Sequence, residues 1–215
     1  MKQDIRGTER EPVPKSLVYI IDDDEHVRGG VASLLTSVGI QVRAFESADD
    51  FLAEELPAVP SCLILDIRLR GSSGLVLQEE FLKESIRFPI VFLTGHGDIE
   101  MSVKAMKAGA FDFMTKPFKD QQLIDTVAAA LRKDRESKRN ESLVADVRTT
   151  YGSLTLREQE VIKLVAQGLL NKQIADTLGV SEPTIKVHRG RAMHKLGVRS
   201  VADLIKKLQQ LTSKG

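Results

Sequence analysis

Five residues of this chain have the types and spacing to do chemistry: Asp22 and Asp23 at the end of the apolar run LVYII, Asp66 after CLIL, Thr94 after PIVFL and Lys116 after FDFMT. Three carboxylates gathered with one ammonium leave a formal charge of about −2, which is costly at short range in a low-dielectric crevice. A divalent cation offsets it best, and hard oxygen donors at a partly open site favour Mg2+, which keeps several waters and accepts phosphate oxygens. In that setting Asp66, alone on its own strand end, is placed to act as a carboxylate nucleophile toward a phosphoryl group, forming an acyl phosphate. Lys116 would neutralise phosphoryl oxygens and the Thr94 hydroxyl would hydrogen-bond one of them. Singly, each residue has a mundane role open to it: a strand-end Asp caps the next helix, a strand-end Thr is merely β-prone, and Lys-Pro is a turn. Their joint occurrence, each at a strand terminus, is what points to a site.

The elements that must bring these residues together are legible in the hydrophobic pattern. Short apolar runs (LVYII, QVRAF, CLILD, PIVFLT, FDFMTKP) alternate with amphipathic stretches (VRGGVASLLTSVG, ADDFLAEEL, GLVLQEEFLKES, IEMSVKAMKAG, DQQLIDTVAAALRK). Strict alternation predicts a parallel sheet of five strands with helices on both faces, because parallel strands need crossover connections. In such an open sheet, ligands sit beyond the carboxyl ends of the strands where strand order reverses, so all five residues would converge on one rim. Gly29 and Gly30 weaken the first helix, at about 1 kcal/mol each against alanine.

From Arg132 the pattern loosens into RKDRESKRNESLVADVRTTYGS, rich in charge and free of proline, which reads as a helical extension grading into a linker. Four closely spaced helix patterns follow with no strand between them, predicting a small all-helical domain. Expected boundaries are a disordered tail over 1–15, the α/β domain over 16–131, a helical linker over 132–150 and the helical domain over 151–215.

Composition bounds the partners. The 215 residues are 42% hydrophobic and 28% charged, ordinary globular usage. The first residues, MKQDIRGTEREPVP, lack an apolar signal core, and no run approaches the ~20 apolar residues of a membrane span, so no membrane partner and a cytoplasmic location are expected. Cys62, the only cysteine, lies in an apolar run and reads as a buried, inert thiol. Formal charge is divided: residues 151–215 carry 11 Lys and Arg against 5 Asp and Glu, leaving the earlier part with 20 against 25. The basic end suits a polyanion, a solvated charged face being the alternative.

Within that basic end, NKQIADTLGVSEPTIKVHRGRAMHKLG has the grammar of a helix-turn-helix. Asn171 is expected to cap a first helix with Ile174, Ala175 and Leu178 inward, and Gly179 to supply the left-handed stop. Ser181 would cap a second helix that tolerates Pro183 in its first turn and turns Ile185, Ala192 and Leu196 to one face. Gly190 in mid-helix costs stability and makes better sense where a backbone must approach something closely.

Residues 17–131 resemble the receiver domain of bacterial two-component response regulators through YIIDDDE, LILDIRLRGSSG, VFLTGHGD and AGAFDFMTKPF, a flavodoxin-like (βα)5 fold. That resemblance implies Asp66 as phosphoacceptor, a Mg2+ site from Asp23, Asp66 and the backbone carbonyl of Arg68 with Asp22 acting through bound water, Thr94 and Phe113 as switch residues, Lys116 on the phosphoryl group, and a cis bond before Pro117. Asp24 belongs to the turn into the first helix and reads as a cap. Two departures stand out: Arg70 where many relatives carry proline, and His96 in the loop after Thr94, which reads as a solvated loop residue. Residues from Leu154 to Ser200 resemble the LuxR/NarL-type DNA-binding domain. On that likeness the helix from Ser181 to Lys195 enters the major groove, with Lys186, Val187 and Gly190 nearest base edges and Lys172, Thr184, His188, Arg189 and Arg191 reaching phosphates. Glu158 would position the scaffold by an internal hydrogen bond. The last helix, with Val201, Leu204, Ile205 and Leu208, is either a dimer face or ordinary core.

Together the two halves are similar to response regulators of the FixJ/NarL class. The likeness implies a transcription regulator, not an enzyme, phosphorylated on Asp66 by a sensor histidine kinase, dimerising on phosphorylation and binding promoter DNA, with RNA polymerase a candidate further partner. Two rivals remain: a phosphorylation-independent regulator with a vestigial pocket, and a hydrolase using an aspartyl-phosphate. The hydrolase would need a second acid or base beside Asp66, where the chain has Ile67 and Arg68.

Overall fold

The computed structural model describes residues 15–212 apart from 70, 71, 85 and 96–98. Arg70, His96 and all but Lys15 of the expected tail therefore lie outside the described residues.

The chain divides into two compact units between Ser137 and Lys138. The first contains β1 (Leu17–Ile21), α1 (Glu25–Ser37), β2 (Gln41–Phe45), α2 (Ala48–Leu52), β3 (Ser61–Asp66), the short β4 (Arg68–Leu69) and β5 (Ser72–Ser73), α3 (Gly74–Lys83), β6 (Ile90–Thr94), α4 (Ile99–Lys107) and β7 (Asp112–Thr115). The main sheet is all parallel in the order β2-β1-β3-β6-β7, with β4 and β5 forming a separate antiparallel pair. Central strands β1, β3 and β6 are buried along their whole length, which is why LVYII, SCLILD and IVFLT read as continuous apolar runs.

Side chains alternate between two cores, as the two-residue period of a strand requires. Leu17, Tyr19, Ile21, Leu63, Leu65 and Phe92 face α2, α3 and α4 through Phe51, Leu77, Phe81 and Ala105. Val18, Ile20, Cys62, Ile64, Val91 and Leu93 face α1 through Val31 and Leu35, and the long helix α5 (Asp120–Gly152) through Leu123, Val127, Ala130 and Leu131. Burial, with a contribution from the charge of Asp134, raises the Cys62 thiol well above its ordinary pKa, so it stays protonated and inert.

The stretch expected as a helical linker, 132–150, lies within α5, which runs as a single helix. It meets neither glycine nor proline before Gly152. Its packing on the first unit also runs past Leu131: Asp134 is buried and accepts a 2.7 Å hydrogen bond from the Ser61 N–H at the start of β3.

The second unit holds the end of α5 with α6 (Leu156–Ala166), α7 (Asn171–Leu178), α8 (Glu182–Lys195) and α9 (Val201–Thr212), packed around Leu154, Val161, Ile162, Val165, Ile174, Ile185, Ala192, Leu196 and Leu204. Of the two roles open to the α9 stripe, core explains most of it: Leu204 is fully buried, and Val201 and Leu208 pack on the same cluster. Among the described residues no helix is long and apolar enough to cross a membrane.

Candidate functional sites

In the α/β unit, strand order reverses around β1, which has β2 on one side and β3 on the other. The carboxyl ends of β1 and β3 therefore lie side by side, and their acids meet. Carboxylate oxygens of Asp22, Asp23 and Asp66 all lie within 4.8 Å of one another. Asp22 and Asp66 are buried and Asp23 half-buried. Lys116, one residue beyond β7, reaches across with Nζ 2.7 Å from Asp22 Oδ2 and 2.6 Å from Asp66 Oδ2. The other oxygen of Asp66 accepts from the Arg68 N–H at 2.9 Å, so the carboxylate is held at both ends.

The electrostatics follow from burial and this single cation. Burial pushes the Asp22 carboxyl above its usual range, Asp66 adding to the effect and Lys116 opposing it. Burial alone would lower the Lys116 pKa, but hydrogen bonds and charge from Asp22 and Asp66 outweigh it and hold it above the ordinary lysine value. The cluster opens into a cleft of about 670 Å3 lined by Asp23, Asp24, Arg28, Asp66, Arg68 and Lys116 among others. Three hard oxygen donors at the floor of an open cleft are a donor set that fits a small divalent cation.

The remaining expected residues fall around this cleft in different roles. Asp24 caps α1, its Oδ1 accepting from the backbone N–H groups of His26 and Val27 at 2.8 and 3.3 Å, which hold its carboxyl below the usual range. Thr94 is buried at the end of β6. Phe113, half-buried on β7, pairs with Phe92 in register, which puts it on the same face of neighbouring strands as Thr94. The Lys116–Pro117 bond is cis.

Two contributors escaped the sequence reading. Arg28, in the first turns of α1, donates from Nη1 to the Asp22 carbonyl at 2.7 Å and so fixes the turn that carries the acids. Its only sequence signal was being one helical turn past the three aspartates. Gly74, the first residue of α3, lies so close to the acceptor strand that an added Cβ would stand 2.7 Å from the Asp66 carbonyl oxygen and 3.1 Å from Ile67 Cα. Gly74→Ala is thus expected to destabilise the fold by about 1–3 kcal/mol and to displace the Asp66 backbone. Slower labelling by a small phosphodonor, together with faster hydrogen exchange in β3, would show both effects.

In the helical unit, the first turn of α6 organises the pair α7 and α8. Thr155 and Glu158 form a reciprocal capping box, and the buried Glu158 carboxylate also accepts from Lys195 Nζ at 2.7 Å, tying the end of α8 to the start of α6. Arg157 donates to the Leu178 carbonyl at 3.0 Å and so caps the end of α7. The Lys195 bond and then the Thr155 N–H hold the Glu158 carboxyl below its usual value near 4.5. A depressed folded value contributes stability above the unfolded pKa, and the contribution is lost as pH falls through the folded one. Glu158→Gln should therefore cost about 1–2 kcal/mol near neutrality, with the gap to the parent closing in acid, read by hydrogen exchange in α6 and α8.

Helix α8 buries Ile185 and Ala192 and leaves Lys186, Val187, Gly190 and Arg191 exposed, with Thr184, His188 and Arg189 half-buried. A Cβ on Gly190 would meet nothing within 4 Å, so no packing inside the unit requires glycine there. Gly179 ends α7 in the left-handed conformation at φ 65°, and Pro183 lies in the first turn of α8, both as expected. The caps differ. Leu170, not Asn171, holds the N-cap position of α7; Asn171 is the first helical residue, and its Oδ1 accepts from Arg189 Nη1 at 2.9 Å. Ser181 occupies the N-cap of α8, but its hydroxyl bonds the Thr184 hydroxyl at 2.8 Å in place of a backbone N–H. Lys172 is exposed in the first turn of α7.

Both units match known proteins. A family model described as the response regulator receiver domain covers residues 18–128, and one described as bacterial regulatory proteins of the luxR family covers residues 152–208. Nodulation protein W of Bradyrhizobium diazoefficiens is 47% identical over 206 residues, spanning 96% of this chain and 91% of that protein. The transcriptional regulatory protein FixJ of Azorhizobium caulinodans is 38% identical over 195 residues, spanning 90% and 92%. Among solved structures, that of the response regulator StyR is similar with a TM-score of 0.83 at 44% identity, covering 91% of this chain and 99% of that one. The matches span both the unit that carries the acid cluster and the helical unit, and the chain belongs to the bacterial response regulators that join a receiver domain to a LuxR-type DNA-binding domain.

Proposed function

We propose that this response regulator is phosphorylated on Asp66 by a sensor histidine kinase in the cytoplasm, and that the modified receiver dimerises and binds promoter DNA through α8. The observation that carries the reading is the Asp66 carboxylate, held by the Arg68 N–H on one oxygen and by Lys116 on the other, at the floor of an open acidic cleft. Asp22, Asp23 and Asp66, with the Arg68 carbonyl, would hold Mg2+. When bound, that ion supplies positive charge against the phosphoryl oxygens.

The chain's own residues do the rest. One Asp66 oxygen attacks phosphorus, the bond from phosphorus to the kinase histidine nitrogen breaks, and the nitrogen keeps the electron pair, leaving an aspartyl phosphate. Lys116 transfers a hydrogen bond from the carboxylate to a phosphoryl oxygen, and the Thr94 hydroxyl turns toward another. The vacated space beside Thr94 is then available to Phe113 on the same sheet face, a rearrangement that biases the receiver surface toward a partner copy. Two linked helical units would meet paired half-sites with an effective concentration that neither has alone. Dimerisation and DNA affinity measured with and without acetyl phosphate test this scheme. Equal affinity in both conditions would point instead to phosphorylation-independent binding.

On the DNA side, Lys186, Val187 and Gly190 face base edges, and Lys172, Thr184, His188, Arg189 and Arg191 face phosphates. The bare surface at Gly190 supports this, because it lets the helix backbone enter closely. Lys172→Ala is expected to weaken binding to all sequences alike and reduce the salt slope by about 1, whereas Lys186→Ala should also relax base preference by about 1–3 kcal/mol at one position. Binding isotherms on several duplexes at graded salt would separate the two; identical behaviour would contradict the groove assignment.

A further inference from the structure

We infer that Asn171 is a positioning residue for DNA binding, which fixes the Arg189 guanidinium and thereby sets where the helix-turn-helix grips the phosphate backbone. The inference rests on the reading that Arg189 contacts a phosphate. Among the described residues, Lys172, Lys186 and Arg191 on the same two helices make no hydrogen bond or ion pair, and their side chains are exposed. Arg189 differs: it is half-buried, and Nη1 donates to Asn171 Oδ1 at 2.9 Å, across the turn from α8 to α7.

The chemistry of this pair suits a preset contact. A guanidinium carries five N–H donors in a rigid fork, so one bond to an amide oxygen leaves four for a phosphate. The acceptor is neutral. A carboxylate at position 171 would hold the arginine more strongly but would set a negative charge beside the incoming phosphate, whereas an amide orients the fork without that repulsion. Asn171 is also free for the task, because Leu170 occupies the N-cap and the Gln173 side chain accepts from the Leu170 N–H. Ordering a long side chain before binding removes that cost from the binding step. Lys172, Lys186 and Arg191 must be immobilised as the complex forms.

A double-mutant cycle in the full chain tests this, with affinity for a fluorescent random-sequence DNA duplex measured at several salt concentrations, since phosphate contacts dominate such binding. Arg189→Ala should weaken binding and lower the salt slope by about 0.9. Asn171→Ala should weaken binding by about two- to tenfold in the parent and leave it unchanged once Arg189 is alanine. Asn171→Ser, whose hydroxyl is too short to reach the guanidinium, should repeat that pattern if the alanine variant disturbs folding. Equal weakening by Asn171→Ala in both backgrounds would show that the amide acts on its own or only staples the helices. No weakening, with Arg189→Ala still harmful, would equally overturn the inference. If Arg189→Ala changes neither affinity nor slope, the phosphate contact itself is wrong and the inference falls with it.

Discussion

Asp66→Asn will gain no phosphoryl group when the purified chain is incubated with acetyl phosphate and Mg2+, while the parent gains one, located on Asp66 by peptide mass spectrometry. The expected effect is complete, because an amide oxygen is not a nucleophile toward phosphorus and, among the described residues, no other carboxylate is held by both the Arg68 N–H and Lys116. Asp22 is buried and engaged by Lys116, and its carbonyl is held by Arg28. Asp24 is spent on capping α1. The substitution should leave the fold intact, since the amide oxygen still accepts from the Arg68 N–H and Lys116 keeps its bond to Asp22. Labelling that persists in the variant would move the nucleophile elsewhere and end the scheme.

Lys116→Ala should slow the same labelling by about a hundredfold to a thousandfold, the usual consequence of removing one preorganised charge that stabilises a transition state. Unlike Asp66→Asn, it should still yield phosphate on Asp66 given time, because the nucleophile remains. Its second consequence is electrostatic. Lys116 is the cation that bridges Asp22 and Asp66, with 2.7 and 2.6 Å bonds. Without it the Asp22 carboxyl, already raised by burial, loses the partner that lowers it and should rise further. Arginine should not restore the rate, since its planar fork does not reproduce a compact ammonium between two carboxylates. A rate within a few fold of the parent would remove Lys116 from the reaction.

The acid cluster was readable because its signals are local. A parallel α/β domain follows from apolar runs alternating with amphipathic ones, and a strand that ends in a carboxylate can be seen without knowing its neighbours. The turn and cap residues Asp24, Gly179 and Pro183 act within a few positions of themselves, and they behave in the fold as their types suggest. The same locality explains the error at Asn171, and why Ser181, though at the N-cap of α8 as expected, bonds the Thr184 hydroxyl and not a backbone N–H. Several polar side chains compete for a helix N-terminus, and a partner 18 residues away, Arg189, draws Asn171 out of that competition.

What the amino-acid sequence determined by itself was the class of each unit and the chemistry of its rim, through periodicity, breakers and charged strand ends. Only the tertiary structure decided that Arg28 secures the turn under the acids, that Gly74 must stay bare against Asp66, that Asp134 docks α5 on β3, and that the α9 stripe is mostly core. The physical reason is range. These contacts join residues whose separation along the chain carries no pattern, and they exist because burial in the two cores of the α/β unit seats β1 between β2 and β3, while burial in the core of the helical unit packs α9 onto its neighbours.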